Sequence, residues 1–268
     1  TALTNPAVTG VYTVELILTS ILVVIPTTLN SALLPIISQL STEKNSERRQ
    51  SYLIGLVFRY SLFIILPLAM TLLIFSKTAI VIFSRIEYQA ASQFLPLLVI
   101  GSVVLGIGGV FLDNIYAIGR TKANRNIVIT MTLVFLVLAF PLIYIFSALG
   151  SAIAYVISTI LLTLISYLYV KKHLRLTLPW RNISKLVIST IISFGFLYGI
   201  TFLIQDIIIK FLFAVLSVLI YLLLLIPLKF YTASDIKILE FFTEKLPILN
   251  KRTLKLKNLL SRFVEKYS

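Results

Sequence analysis

Long runs without a charged residue restrict the fold of this sequence more than any other feature. No Asp, Glu, Lys or Arg occurs in residues 16–42, 60–76, 88–112, 126–170, 186–205 and 211–228. A helix that crosses the hydrocarbon core of a bilayer needs about 20 apolar residues. Transmembrane β-strands would instead show alternating segments of about ten residues, and these runs do not alternate. The runs therefore predict an all-α integral membrane protein.

Composition supports the same assignment. Of the 268 residues, 59% are hydrophobic and 13% are charged, whereas soluble domains are about 45–50% apolar and about 25% charged. A water-soluble chain of this size has too little interior to bury so much apolar surface. One histidine and no cysteine exclude disulfides, thiol catalysis and metal sites rich in cysteine or histidine.

The lengths of the runs predict seven transmembrane helices. The run 126–170 is long enough for two of them, with a turn at 147–151, Ser-Ala-Leu-Gly-Ser. The predicted spans are 11–40, 52–76, 90–118, 127–146, 150–170, 186–204 and 210–228. Prolines inside a helix bend it and free a backbone carbonyl, and five fall within these spans: Pro26, Pro35, Pro67, Pro96 and Pro141.

The positions of lysine and arginine predict the orientation, because cytoplasmic connections carry an excess of both. One side of the membrane receives Lys44, Arg48, Arg49, Arg120, Lys122, Arg125, Lys171, Lys172, Arg175, Arg181, Lys185 and the basic residues from Lys229 onward. The other side receives only Lys77, Arg85 and Lys210. We therefore expect a multi-pass protein of the cell membrane with its N-terminus outside and its tail in the cytoplasm. Most of the formal net charge of +14 is then a topology signal, and no nucleic-acid partner is expected.

Two regions follow from this reading, a transmembrane lobe at 1–229 and a basic cytoplasmic tail at 230–268. In the tail, leucines alternate with Lys251, Arg252, Lys255, Lys257 and Arg262. A basic amphipathic helix of this kind binds the anionic cytoplasmic leaflet. The alternative is a helical tail surrounded by water.

Ionisable residues within a span are costly and usually face a cavity or a partner. Glu15, Thr19 and Asn30 lie at helical spacing on one face of the first span and form a polar stripe. A carboxylate there can bind a proton, a sodium ion or a sugar hydroxyl. The alternative is a carboxylate at the outer rim that extends into the headgroup layer.

Arg59 lies well inside the second span. Its guanidinium is suited to bidentate binding of a diphosphate, and the alternatives are extension to the interface or pairing with a carboxylate. Near the inner end of the third span, Asp113, Asn114 and Arg120 are candidates for an interfacial ion pair or a gate. Four glycines in that span favour close helix packing: Gly101, Gly106, Gly108 and Gly109.

The sequence gives little support for catalysis. Membrane enzymes that act on phosphorylated sugars or lipids need clustered acids or histidines for acid–base and metal chemistry. The acids here are separated from one another, and His173 lies in a basic loop. No glycine-rich phosphate loop or nucleophile elbow is present. We therefore expect no enzymatic activity, no cofactor and no metal.

Several segments, taken in order, resemble the polysaccharide-unit flippases of the multidrug/oligosaccharidyl-lipid/polysaccharide exporter superfamily. The first two are Gly10-Val-Tyr12 with Leu33-Leu34-Pro35-Ile36-Ile37-Ser38-Gln39-Leu40, similar to the eighth helix, and Arg59 with Leu66-Pro67-Leu68-Ala69, similar to the ninth. The next are Tyr88-Gln89-Ala90-Ala91 with Ala117-Ile118-Gly119-Arg120-Thr121-Lys122, similar to the tenth helix and its loop, and Leu149-Gly150-Ser151-Ala152-Ile153-Ala154, similar to the turn that opens the twelfth. The resemblance covers about residues 5–175, and the last two helices fit by position alone.

The resemblance implies that the chain is one lobe of a two-lobed transporter, the second half of a fourteen-helix member. It also implies the substrate, an oligosaccharide on a polyprenyl or dolichyl phosphate or pyrophosphate that moves from the cytoplasmic to the outer leaflet. Glu15, Thr19, Asn30 and Arg59 are then candidates for the wall of the translocation cavity. The expected partners are this substrate, membrane lipids and the N-terminal half of the protein, which the sequence beginning at Thr1 does not contain.

Three other functions remain open at this point. A multidrug/cation antiporter of the same superfamily needs a deeply buried acidic ion site, and Glu15 near the outer rim is a weak candidate for one. A membrane enzyme of envelope-glycan synthesis is disfavoured because the acidic residues are not clustered. A scaffold that does not transport is the third alternative, with the basic tail recruiting a glycosyltransferase.

Overall fold

The structure, a computed structural model, describes residues 6–83, 94–203 and 207–231. Within these residues the chain folds into helices α1 (Pro6–Leu40), α2 (Glu47–Ile74), α3 (Ser76–Phe83), α4 (Leu95–Ala117), α5 (Thr121–Phe146), α6 (Ala148–Leu174), α7 (Trp180–Leu203) and α8 (Ile207–Leu224). The chain divides after Trp180 into two compact units. The first unit contains α1 to α6, and the second contains α7 from Arg181 onward and α8.

The prediction of an all-α chain is confirmed for the described residues, and their long apolar helices indicate a multi-pass membrane protein, as predicted. In the described part of the chain, α1, α2, α4, α5, α6 and α7 are long and apolar enough to cross a membrane, and they coincide with the first six predicted spans. Helix α8 coincides with the seventh but is shorter than the other six, so the seven-helix count stays a prediction. The short helix α3, which follows α2 after Phe75, was not predicted.

Helix α4 lies at the centre of the first unit, in contact with α1, α2 and α6. Its contacts with α1 advance in the same direction along both helices. Gly106 of α4 packs against Leu22 of α1, and further along, Asp113 of α4 accepts a hydrogen bond from Asn30 of α1. Helices α1 and α4 are therefore parallel.

Helices α4 and α6 are parallel for the same reason. Ser102 on α4 is hydrogen-bonded to Tyr155 on α6 at 3.2 Å, and further along, the ring of Phe111 lies 5.5 Å from that of Tyr167. The first, third and fifth predicted spans thus run in one direction, as helices that alternate across a membrane must.

Helix α2 packs in the opposite direction against α1 and α4. The ring of Phe58 stacks on that of Phe111 with centroids 5.5 Å apart, while Ala69, further along α2, packs near the start of α4. The apolar cluster at this three-helix junction consists of Leu22, Ile65, Ala69, Leu95 and Val99.

Helix α5 lies at the edge of the first unit. Ile127 and Ala139 are its buried residues, whereas Leu133, Val137 and Phe140 are each more than half exposed. A helix with apolar side chains on its exposed side matches a lipid environment and would be unfavourable in water. The α5 surface therefore fits a helix that faces lipid.

A proline and a glycine allow α1 and α4 to approach closely at their midpoints. Pro26 has no N–H, so the carbonyl of Leu22, four residues earlier, has no intrahelical donor. Gly106 lies directly opposite, and a Cβ at this position would be 2.6 Å from the Leu22 oxygen and 3.0 Å from Pro26 Cγ. The absence of a side chain at Gly106 therefore lets the two backbones pack together, as the sequence predicted.

We expect Gly106→Ala to destabilise the protein by about 1–3 kcal/mol, because the new methyl group overlaps a backbone atom that cannot move alone. Gly109 is the matched control on the same interface, since a Cβ there would lie 3.5 Å from Thr27 Cγ2, an ordinary contact. Gly109→Ala should leave stability unchanged or raise it by at most about 1 kcal/mol. Unfolding of both variants with SDS in mixed micelles measures the difference, and equal midpoints would contradict the packing described here.

The second unit contains α7 from Arg181, α8 and the residues that follow α8 up to Tyr231. Lys185 Nζ donates a hydrogen bond to the backbone carbonyl of Lys229 at 2.7 Å. The predicted boundary between lobe and tail, at 229–230, falls next to residues 232–268, which lie outside the described part of the chain. The predicted tail helix and its basic residues Lys251, Arg252, Lys255, Lys257 and Arg262 are within that segment and stay predictions.

Candidate functional site

The polar stripe predicted on α1 lies on the buried face of that helix. Glu15, Thr19 and Asn30 are each fully buried because residues at these spacings share the face that packs against α4. Thr19 satisfies its hydroxyl within the helix by donating to the carbonyl of Leu16 at 3.2 Å. The three residues therefore lie on one face of α1, as predicted, and this face points into the interior of the first unit.

Glu15 is placed where α4 begins. Its carboxylate lies beside the backbone N–H of Leu95, the first residue of α4, where the helix dipole favours negative charge. Both carboxylate oxygens are buried, and neither makes a hydrogen bond of standard geometry within the described residues. The alternative of a rim carboxylate that extends into the headgroups does not agree with this burial.

Near Glu15, hydroxyl groups from three helices form a chain of contacts that begins at Tyr12. Tyr12, one turn earlier on α1, lies near Glu15 and near Tyr155 and Ser151 of α6. Tyr155 is in turn hydrogen-bonded to Ser102 on α4. We call these five residues the Glu15 cluster. Sequence reasoning missed Ser102, Ser151 and Tyr155 as site residues. For Ser102 and Ser151 the available signal was a hydroxyl group next to a glycine in an apolar span, and Tyr155 had no such signal.

A second polar cluster joins α1 to α4 further along both helices. Asn30 Nδ2 donates to Asp113 Oδ2 at 3.2 Å, and Asn114 Nδ2 donates to Asn30 Oδ1 at 3.0 Å and to the carbonyl of Val110 at 2.6 Å. Asn30 and Asn114 are fully buried. We call Asn30, Asp113 and Asn114 the Asn30 cluster.

The ion pair expected between Asp113 and Arg120 is not formed in the described part of the chain. Asp113 instead accepts a hydrogen bond from Asn30. An ion pair in the described residues joins Arg49 and Glu43. Arg120 is exposed at the turn between α4 and α5, where its long side chain reaches solvent. The role of these residues as a gate stays a prediction.

Arg59 is buried in the interior of the first unit, with 7% of its surface exposed. Its Nη2 donates to the hydroxyl of Tyr60 at 3.0 Å, and its guanidinium carbon lies 4.8 Å from the centre of that ring. The neighbouring Phe58 stacks on Phe111 of α4, which places Arg59 at the depth of the Asn30 cluster. The alternative of an arginine that extends to the membrane surface does not agree with this burial.

The predicted cavity residues therefore belong to two levels. Glu15 and Thr19 lie in the first half of α1. Asn30 lies roughly 22 Å beyond Glu15, from the helical rise per residue, and Arg59 of α2 is at the depth of Asn30. The apolar junction of α1, α2 and α4 occupies the space between the levels. Within the described residues, no group of three or more His, Cys, Asp or Glu side chains is placed to hold a metal ion.

No family model matches this chain, and neither the curated proteins nor the solved structures give a match.

Proposed function

We propose that the protein flips a lipid-linked oligosaccharide from the cytoplasmic to the outer leaflet of the cell membrane. In this proposal the chain is the seven-helix second lobe of a two-lobed transporter, with its N-terminus outside and its basic tail in the cytoplasm. The sugar crosses a polar path while the polyprenyl or dolichyl tail stays in lipid. The resemblance of segments between residues 5 and 175 to polysaccharide-unit flippases supports the choice of substrate.

The observation that carries the proposal is the burial of Glu15 and Arg59 inside a bundle of apolar helices. Each has at most 7% of its surface exposed, and a charged side chain at membrane depth costs at least about 2.5 kcal/mol. Such residues in membrane proteins usually mark a substrate or ion pathway. A role in packing alone does not account for a carboxylate whose oxygens lack standard hydrogen bonds in the described structure.

The two levels of polar residues suit the two parts of such a substrate. Arg59 offers paired N–H donors that match the oxygens of a phosphate or pyrophosphate. The hydroxyl groups of the Glu15 cluster and the amide groups of the Asn30 cluster match the hydroxyl groups of a sugar, which both donate and accept hydrogen bonds. Pro26 lies inside α1 and Pro67 inside α2, and helices that a proline interrupts suit alternating access.

A multidrug/cation antiporter of the same superfamily is the second candidate, and the burial of Glu15 favours it. An antiporter needs an acidic residue away from bulk water that binds a proton or a cation. Glu15 is fully buried and not at an exposed rim, which removes the main objection to this function. Scaffold and enzyme functions have no comparable observation in their favour, and recruitment of glycosyltransferases by the tail stays a hypothesis.

Depletion of the full-length protein from its own cells tests the proposal. A flippase predicts that surface glycan falls while lipid-linked oligosaccharide accumulates in the cytoplasmic leaflet, which is measured by accessibility to an added glycosidase in inside-out and right-side-out vesicles. Unchanged surface glycan together with increased sensitivity to cationic drugs would reject the flippase and support the antiporter. A complementing copy of the wild-type protein serves as the control.

A further inference from the structure

The polar residues at the depth of Asn30 and Arg59 are closed off in this structure. Asn30 is fully buried and Arg59 has 7% of its surface exposed, so neither can contact a substrate unless a neighbouring helix moves. The end of α1 borders this level and is weakly packed. From Glu15 to Asn30 each turn of α1 contains a buried residue, whereas in residues 31–40 six are exposed and Ile37 is the buried one. A segment with so few buried contacts separates from its neighbours at a low cost in free energy.

Pro26 interrupts the backbone hydrogen bonds of α1 one turn before Asn30. It has no N–H, so the carbonyl of Leu22 has no intrahelical donor, and a helix bends most readily at such a position. Leu22 and Pro26 pack directly against Gly106 of α4, which fixes the part of α1 that precedes the proline. Pro26 is therefore placed as a hinge for residues 27–40.

The Asn30 cluster joins this segment to α4 by hydrogen bonds. Asn30 Nδ2 donates to Asp113 Oδ2 at 3.2 Å, and Asn114 Nδ2 donates to Asn30 Oδ1 at 3.0 Å. The end of α4 is held in place from its other side, because Asn124 at the start of α5 donates to the carbonyl of Leu112 at 2.7 Å. If these helices separate, the segment of α1 is therefore the part that moves.

The chain that follows α1 limits this movement without preventing it. Residues 41–45 are exposed and connect α1 to α2. Ser46 is hydrogen-bonded both to the carbonyl of Leu40 and to the side chain of Gln50, a buried residue of α2. Residues 27–40 are therefore attached at both ends to parts of the first unit that stay in place, and their movement is an outward bend.

We propose that residues 27–40 of α1 are a gate, hinged at Pro26 and closed by the hydrogen bonds of the Asn30 cluster. When these bonds break, the segment bends away from α4 and exposes the cluster on the side of the membrane where α1 ends. The freed amide and carboxylate groups then bind the hydroxyl groups of a sugar, so the substrate binds the open state and stabilises it. The movement is inferred from the contacts of this chain, whereas the sugar as the group that stabilises the open state rests on the proposed function.

Cysteine labelling of the full-length protein tests the gate, since this chain contains no cysteine. Ala117, one turn beyond Asp113 on the same face of α4, is 7% exposed. Its cysteine variant therefore reports whether a water-soluble maleimide reaches this face, after the labelling of the parent protein is subtracted. We expect Asn30→Ala to raise the labelling rate of Ala117→Cys about tenfold or more, because the hydrogen bonds that close the gate are lost.

Val170→Cys is the matched control for this measurement. Val170 is also buried, and it lies on α6 one turn beyond Tyr167, which contacts Phe111 of α4. Its depth is therefore close to that of the Asn30 cluster, but it is on a different helix from both sides of the gate. Its labelling should be the same with and without Asn30→Ala.

A disulfide across the gate gives a second test. A Cβ at Gly109 would lie 3.5 Å from Cγ2 of Thr27, the first residue after the hinge, close enough for the sulfur atoms of two cysteines to bond. We expect Thr27→Cys/Gly109→Cys to lose transport on oxidation and to regain it with dithiothreitol. Thr27→Cys alone should transport equally under both conditions, measured as surface glycan or, for the antiporter, as drug efflux.

The other results of these experiments would overturn the proposal. Unchanged labelling of Ala117→Cys in the Asn30→Ala variant would show that the Asn30 cluster does not close a gate, and an equal increase at Val170→Cys would indicate general loosening of the bundle. Full transport by the cross-linked protein would exclude the movement from the transport cycle. Labelling requires no substrate, so labelling as expected in a protein whose depletion leaves surface glycan unchanged would reject the flippase and support the gate.

Discussion

Replacement of Glu15 by glutamine is expected to raise the stability of the protein and to lower its transport activity. Glutamine keeps the shape of the side chain and cannot ionise, whereas ionisation of a carboxyl group that is buried without standard hydrogen bonds in the described structure costs free energy. We therefore expect Glu15→Gln to be more stable by about 1 kcal/mol or more. Opposite changes in stability and activity distinguish a functional residue from a packing residue.

The expected loss of transport follows from the interactions that only a carboxylate makes. A hydrogen bond to a charged group contributes about 1.5–3 kcal/mol, and a loss of roughly 1.4 kcal/mol corresponds to a tenfold change. Transport by Glu15→Gln in the full-length protein should therefore fall about tenfold or more, measured as surface glycan or, for the antiporter, as drug efflux.

Glu47→Gln is the matched control, because Glu47 is exposed at the start of α2. The substitution makes the same chemical change outside the interior of the bundle. We expect its stability to change by at most about 1 kcal/mol and its transport to stay at the wild-type level. A Glu15→Gln variant that is less stable than the wild type and fully active would assign Glu15 a structural role and remove it from the proposed site.

The helices of this protein could be predicted from sequence because membrane burial makes length and polarity decisive. Long charge-free runs gave six helices whose positions agree with α1, α2, α4, α5, α6 and α7. The face of α1 that carries Glu15, Thr19 and Asn30 was predictable for a similar reason, since helical periodicity alone places these residues together. Both results depend only on local information.

Pairing between helices was not predictable, because it depends on which residues meet at the same depth. Asp113 has Arg120 seven positions further along the chain, which favoured a local pair, but packing of α1 on α4 brings Asn30 within 3.2 Å of its carboxylate. A charge count also does not give the depth of Arg59 in the bundle. The stacking of the neighbouring Phe58 on Phe111 determines that depth. The predicted single site of Glu15, Thr19, Asn30 and Arg59 is therefore divided between two depths in the structure.

For the turn between α5 and α6, the sequence likewise predicts the position but not the backbone geometry. Its location was evident from Ser147 to Ser151, but a five-residue turn was expected. The two helices are instead separated by Ser147 alone, with φ 55° and ψ −133°. So short a connection brings the backbones of the two helices into contact, and this contact requires glycine at position 150.

Replacement of Gly150 by alanine is expected to be the most destabilising single methyl addition in the described structure. A Cβ at Gly150 would overlap the carbonyl oxygen and the carbonyl carbon of Leu142. These are backbone atoms of α5. Because Ser147 alone separates α5 from α6, the backbone of α5 cannot move away from Gly150. We expect Gly150→Ala to lower the free energy of unfolding by about 3 kcal/mol or more, at the upper end of overpacking effects.

Gly195 of α7 provides the control for this variant, because a Cβ there meets no atom within 4 Å. Gly195→Ala should leave stability unchanged or raise it by at most about 1 kcal/mol through its helix propensity. Unfolding of both variants with SDS, followed by circular dichroism, gives the comparison. A Gly150→Ala variant as stable as Gly195→Ala would mean that α5 and α6 are further apart than described, since the added methyl group can be accommodated only if the turn at Ser147 is longer or looser.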